Sequence, residues 1–429
     1  MNGAPRTEAT DAVSATVARL DAEIERRDEE LVATIADLVR LPSVLGQEAE
    51  AQTYVADHLR ASGARVDVWE IDESLKSLPG AGNPGVPFAG RPNVAATVAG
   101  AGGWRSLILQ GHIDVVSPEP VEDWSHDPWA ATIIGNRMYG RGAYDMKCGI
   151  AGILLVPRIL RDLGIGLQGD LVVQSVIEEE CSGNGALDAS RRYHADAALV
   201  AESMNGEFVH AHVGVMWFEV EVEGKSAHAA RSPEGVNAIS KAVLVIRALE
   251  DLDRRLNVES HPAFAGIQRP VGVNVGTIGG GDWPSTLAGR CTLGCRMGVY
   301  PGRGVAEMRA EIDGALRHAA EGDAWLAEHP PKVRFFGHHS PGSAVSLDEP
   351  FVQTLGAWHR RVTGRPMRIR ADTGTLDMRY YNLAGIPSGC YGAVGGNPHA
   401  ADEWLDLTSL VPTAKVIAGF VLDWCGVAD

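Results

Sequence analysis

Ser106-Leu-Ile-Leu-Gln-Gly-His112-Ile-Asp114-Val-Val116 is the stretch whose reading decides the fold. It is an apolar run that turns polar only near its end. That pattern predicts a strand buried on both faces, which delivers side chains to one edge of a sheet. Two further runs of this kind follow, at Asp170–Ile177 and Ala195–Ala201, with an apolar helix predicted at Gly149–Leu163 between the first two. Upstream, helical spacing over 12–40 and 47–62 precedes a strand at Arg65–Ile71. Strands alternating with helices predict an α/β fold, a parallel or mixed sheet with helices on both faces. Ligands of such sheets gather beyond the carboxyl ends of the strands.

The texture changes after residue 209. Val213–Val222 alternates like a half-exposed strand. It is followed by a helix from Gly235 to about Leu252, strands at Val271–Ile278 and Ala288–Met297, a helix at Val305–Ala320 and a strand at Lys332–Phe336. This order matches a ferredoxin-like α+β unit. The α/β character then returns, with a helix at 349–363, a strand near 386–391 and a closing helix at 408–425. Residues 210–338 are therefore read as a domain inserted between 1–209 and 339–429, and the Pro/Gly-rich Leu78–Gly90 as a surface loop.

Composition narrows the function. The 429 residues carry a formal net charge of −17 and are 45% hydrophobic and 22% charged. A globular enzyme is ordinary at these values. Nucleic acid and anionic membrane both need a basic surface, so neither is an expected partner. Met1 to Leu20 shows no basic segment leading into an apolar one, and no run of about 18 apolar residues stands out. With six scattered cysteines and no CxxC pair, the expected location is the cytoplasm, with the cysteines as small buried hydrophobes.

The strand ends carry the chemistry. His112 and Asp114, two apart, share one face of a strand. Asp145 lies in the glycine-flanked turn Gly140-Arg-Gly-Ala-Tyr-Asp145-Met-Lys-Cys-Gly149, either capping the helix that follows or acting as a ligand. Glu178-Glu179-Glu180 follows a buried strand, where three adjacent carboxylates are unfavourable unless a cation neutralises them. Glu202 ends another apolar strand, and His399 sits in the glycine-rich Gly395-Gly-Asn-Pro-His399-Ala-Ala-Asp-Glu403. Together these residues suffice for two zinc ions, each held by one histidine and one carboxylate, with a further carboxylate between them.

The order and spacing of these motifs resemble the M20 metallopeptidase family, which includes acetylornithine deacetylase, succinyl-diaminopimelate desuccinylase, aminoacylase-1 and glutamate carboxypeptidases. The resemblance spans nearly the whole chain. It implies a two-zinc exopeptidase-like catalytic domain plus an inserted ferredoxin-like dimerisation, or lid, domain. It implies His112 and Glu202 on one metal, Glu180 and His399 on the other, and Asp145 bridging. Asp114 would orient His112, and Glu179, the first of the Glu-Glu pair, would be the general base. Glu178 is then a surface group or one that supports the site from behind.

Gly224-Lys-Ser-Ala-His228-Ala-Ala-Arg resembles the segment whose histidine completes the partner subunit's site, so a homodimer with His228 acting across subunits is expected. Arg296 matches an arginine that grips a substrate carboxylate. Trp283 stands where relatives often have a substrate-touching asparagine. Asp372-Thr-Gly-Thr375-Leu-Asp377 occupies a glycine-rich substrate segment, with Thr375 as the contact. The implied activity is amide hydrolysis of an N-acyl amino acid or related small amide by a Glu-activated water, with cobalt or manganese as alternatives to zinc. A metallo-dipeptidase or carboxypeptidase is the alternative reading, and a non-catalytic binding protein of the same fold a more distant one.

Overall fold

The computed structural model describes residues 5–258 and 261–428, with side chains from residue 15 onward. The long N-terminal helical pattern divides into Pro5–Arg26 and Asp28–Arg40. The break falls at Arg27, whose buried guanidinium bonds Glu23 at 2.6 Å, Glu30 at 3.1 Å and Asp162 at 2.5 Å. Periodicity carries no sign of this break, because one of the partners comes from a distant helix.

A nine-stranded mixed sheet forms the centre. Leu107–His112 runs parallel to Leu171–Val176 on one side and to Ala197–Val200 on the other, and Ser388–Cys390 continues parallel beyond the latter. Arg65–Glu70 and Pro92–Val98 add an antiparallel edge. Strand alternation divides the core. Leu107, Leu109, Leu171, Val173 and Leu199 pack under the helices Asp28–Arg40, Cys148–Leu163 and Leu410–Cys425. Ile108, Val172, Val176 and Ala198 face Ala186, Ala189, Tyr380 and Tyr381 on the other side. Both faces are thus covered, as the continuous apolar runs require.

The register positions the site. His112 pairs with Val176, so the 178–180 segment leaves the sheet beside it, and Gln110 pairs with Val200, so Glu202 emerges at the same edge. A second, four-stranded sheet of short pieces (Thr132–Ile134, Arg137–Tyr139, Trp404–Asp406 and Gly395–Gly396) brings the 397–403 loop against the Gly140–Asp145 turn. These strands are two or three residues long, too short for a periodic signal.

A separate antiparallel sheet joins Val273–Gly280, Arg290–Val299, Gly214–Glu223 and Lys332–Ser340, in the expected strand-helix-strand-strand-helix-strand order. The helices Ala238–Leu256 and Val305–Glu321 cover one of its faces and close a core of their own. Cys291 and Cys295, four apart on one strand, are both buried in that core.

Leu407–Cys425 reaches 19 residues at a mean hydropathy of 1.2, the length and composition of a membrane span. Its Val416, Ile417, Phe420 and Val421 are nevertheless buried against Pro350–Thr363 and Cys148–Leu163, as in a core helix.

Candidate metal centre

Asp145, Glu180, Glu202 and His399 line a cleft of about 460 Å³ together with Tyr144, Ser203, Met204, Arg370 and Thr375, and His112, buried at the end of its strand, meets them from beneath. His112 Nε2 lies 3.3 Å from Asp145 Oδ1 and 3.4 Å from Glu202 Oε2. His399 Nε2 lies 3.3 Å from Asp145 Oδ2 and 2.8 Å from Glu180 Oε2. The result is two groups, His112–Asp145–Glu202 and Asp145–Glu180–His399, with the ligand atoms of each within 4.8 Å of one another. Asp145 belongs to both, one oxygen facing each.

The tautomer of His112 suits a ligand. Its Nδ1–H donates to the Asp114 carbonyl at 2.9 Å, which leaves the Nε2 lone pair facing the carboxylates. That Nε2 is buried and has no hydrogen-bond partner among the described residues. A buried acceptor aimed at two carboxylates is satisfied by a cation between them. The backbone of Asp114 thus does the orienting expected of its side chain, whose Oδ1 is 3.7 Å from Nδ1. The carboxylate instead accepts the N–H groups of Glu179 and Glu180, both at 3.1 Å, and so fixes the next loop.

The electrostatics agree. Burial, with the neighbouring Asp145 carboxylate, pushes Glu202 up to about 7 and raises Glu180 as well. Burial pushes Asp114 up to about 8 against the pull of His112. Burial also raises Glu179, to which Asp377, Glu180 and Glu202 add. Carboxylates crowded into a largely buried site are short of positive charge, and divalent cations supply it. Two imidazoles and three carboxylates, one shared, fit a pair of such ions.

Glu179 belongs to neither group. It lines the same cleft, and among the described residues its carboxylate takes part in no hydrogen bond or ion pair. Glu178 is fully buried behind the loop rather than on the surface. Of the expected substrate contacts, Thr375 lines the cleft and donates from Oγ1 to the Val213 carbonyl at 3.4 Å. Arg296 is exposed on the strand Arg290–Val299 of the smaller sheet. Trp283 is 68% exposed on the loop before that strand. His228 is also exposed and bridges Thr286 on that loop, so His228 and Trp283 share one end of the smaller sheet. Neither these two nor Arg296 lines the cleft of this chain.

Glu403 received no role from the sequence, yet it anchors Asp145. Its Oε1 accepts the N–H groups of Tyr144 at 2.9 Å and Asp145 at 3.0 Å. Its Oε2 accepts Gly142 N–H at 3.1 Å and Arg141 Nη1 at 2.7 Å. It lies four positions after His399, so one loop supplies a candidate ligand to the cleft and the clamp on another. Both Arg141 and Glu403 are buried. Glu403→Ala is expected to lower the unfolding free energy by about 3–5 kcal/mol, because Arg141 is left buried and unpaired. Denaturant unfolding of the metal-free protein measures this. A loss under about 1 kcal/mol would mean that water replaces the carboxylate.

The profile of peptidase family M20/M25/M40 matches residues 108–423. A curated N-formyl-4-amino-5-aminomethyl-2-methylpyrimidine deformylase of Halalkalibacterium halodurans is 30% identical, over 95% of this chain and 97% of the relative. An acetylornithine deacetylase of Salmonella paratyphi B is 32% identical, over 77% of this chain and 83% of the relative. Among solved structures, a tripeptidase of Staphylococcus aureus has a TM-score of 0.73 at 21% identity, covering 93% of this chain and 98% of that one, which is a likeness of fold. The profile takes in all five converging side chains, and with these relatives it makes the chain a member of peptidase family M20/M25/M40 and a metal-dependent hydrolase.

Proposed function

We propose that this chain is a two-metal amidohydrolase that removes a small acyl group from an amine, with an N-formyl or other short N-acyl compound as substrate. The observation that carries the reading is the pair of ligand groups sharing Asp145 with the unpaired Glu179 beside them. His112 and Glu202 would hold one ion, Glu180 and His399 the other, and Asp145 both. Zinc is the proposed metal, because imidazole with carboxylate suits it. When bound, the ions acidify a water and polarise the acyl oxygen. Glu179 takes the proton from the attacking water and delivers it to the leaving nitrogen.

We place residues 210–338 as the inserted lid and dimerisation domain. The exposed His228 then reaches the cleft of a second copy, where it donates to the developing oxyanion. Thr375 contacts substrate within the chain, and Arg296 and Trp283 do so from the lid. The six free thiols suit a reducing compartment, the cytoplasm. The match to a deformylase along nearly all of both chains favours the N-formyl compounds. Cleavage of an N-acyl amino acid, the activity of the deacetylase-like relatives, is the second reading.

The test is a hydrolysis screen of the zinc-loaded protein. It sets an N-formyl aminomethylpyrimidine and N-formyl, N-acetyl, N-succinyl and long-chain N-acyl amino acids against unblocked dipeptides. The expected result is turnover of an N-acyl compound that a chelator abolishes and zinc restores. Cleavage of the dipeptides alone would move the chain to the metallo-dipeptidase reading.

A further inference from the structure

Glu178 has an arrangement that a bystander of the Glu179–Glu180 pair would not need. It is fully buried, and its φ is +66°, left-handed backbone that a long side chain rarely adopts. Its Oε1 accepts Arg91 Nη1 at 2.6 Å, and its Oε2 accepts Ser182 Oγ at 2.7 Å and Asn184 Nδ2 at 2.9 Å. Its carbonyl accepts the N–H groups of Ser182 at 3.0 Å and Gly183 at 2.6 Å.

Arg91 is itself 3% exposed and is gripped from its other side by the buried Glu48, with Nε on Oε2 at 2.8 Å and Nη2 on Oε1 at 2.5 Å. Two carboxylates therefore share one buried guanidinium, behind a cleft already rich in negative charge. Buried ion networks contribute little to net stability compared with apolar packing. A left-handed non-glycine residue is strained and persists only where its surroundings over-determine it.

The turn has one evident effect. It sends the side chain of Glu178 back into the protein, and those of the next two residues line the cleft. Asp114 holds the N–H groups of those two residues from the opposite side. We infer that Glu178 is a positioning residue: anchored on Arg91 and Glu48, its carboxylate holds the left-handed turn that aims Glu179 and Glu180 into the cleft. The inference rests on the two-metal reading above.

The test compares wild type with Glu178→Gln, Glu178→Gly, Arg91→Met and the double variant Glu178→Gln/Arg91→Met. Readouts are kcat, KM, zinc affinity by competition with a chromophoric chelator, and thermal unfolding. Both Glu178 variants are expected to lower kcat by about 10–100-fold with KM changed less than about threefold, and to weaken zinc on the order of tenfold, as loss of a group that orients a ligand does. Glycine takes positive φ freely, so Glu178→Gly relieves the backbone while removing the anchor, which separates positioning from folding. In kcat and zinc affinity the double variant should be little worse than Arg91→Met alone, because the Glu178–Arg91 contact is already lost there.

Wild-type kcat and zinc affinity in the folded variants, with only a lowered melting temperature, would overturn the inference. Zinc affinity tests the aim of Glu180 without reference to any substrate. Full activity in Glu179→Gln would instead defeat the underlying reading of the base.

Discussion

Glu179→Gln is expected to lower kcat by about 10³-fold while zinc content stays at the wild-type value, because a positioned general base contributes about 10²–10⁴-fold. The amide has nearly the shape of the carboxylate and cannot take a proton from the attacking water. Glu179 is in neither ligand group, so the substitution removes no metal contact. Its backbone N–H still reaches Asp114, so the loop keeps its anchor. KM should move by no more than a few-fold, since the loss is confined to the transition state.

Three adjacent glutamates thereby acquire three phenotypes. Glu180→Gln should release zinc, because Glu180 lies 2.8 Å from His399 Nε2 within its group. Glu178→Gln should weaken both kcat and zinc by the smaller factors given above. Metal analysis alongside single-turnover rates distinguishes the three. If Glu180→Gln kept its zinc and lost its rate while Glu179→Gln lost zinc, the two roles would be exchanged.

The strand-end side chains were legible in the sequence for a topological reason. A central strand of an α/β sheet is apolar on both faces, so a His, Asp or Glu at its end stands out against the run before it. His112, Glu180 and Glu202 all follow such runs, and the parallel register between Leu107–His112, Leu171–Val176 and Ala197–Val200 brings those ends to one edge. The smaller sheet was legible too, because its strands and helices are long enough for periodicity to register.

The supports of the site were not legible. Glu48, Arg91 and Glu178 are separated by 43 and 87 residues, and nothing in a local pattern marks a charge as buried and paired. Glu403 was visible only as the end of the His399 motif. Its four hydrogen bonds depend on strands of two or three residues that set the 397–403 loop against the Gly140–Asp145 turn. Asp114 was read correctly as a neighbour of His112 and differently in what it holds. The spacing of two predicts a shared face, and only the loop coming from Val176 decides that its carboxylate faces two backbone N–H groups. Local rules thus found the groups facing the cleft, and tertiary contacts chose the groups behind them.

Asp145→Ala should be the most damaging single ligand substitution. Each histidine, and each of Glu180 and Glu202, serves one group, so His112→Ala leaves Asp145, Glu180 and His399 able to hold an ion. Asp145 serves both, with Oδ1 toward His112 and Oδ2 toward His399. Its removal would take one ligand from each ion of the proposed pair, and with it the negative charge that would offset their mutual repulsion. Zinc is expected to fall from about two per chain to below one after dialysis. The rate is expected to fall on the order of 10³-fold or more, since charge stabilisation by such ions amounts to several kcal/mol.

The fold should survive, because Glu403 grips the backbone N–H groups of Tyr144 and Asp145 rather than the side chain of Asp145. Circular dichroism of the metal-free variant checks this, and metal analysis with kcat checks the rest. Two zinc ions retained in Asp145→Ala would mean that the two groups do not share a ligand, and the proposed arrangement would have to be abandoned.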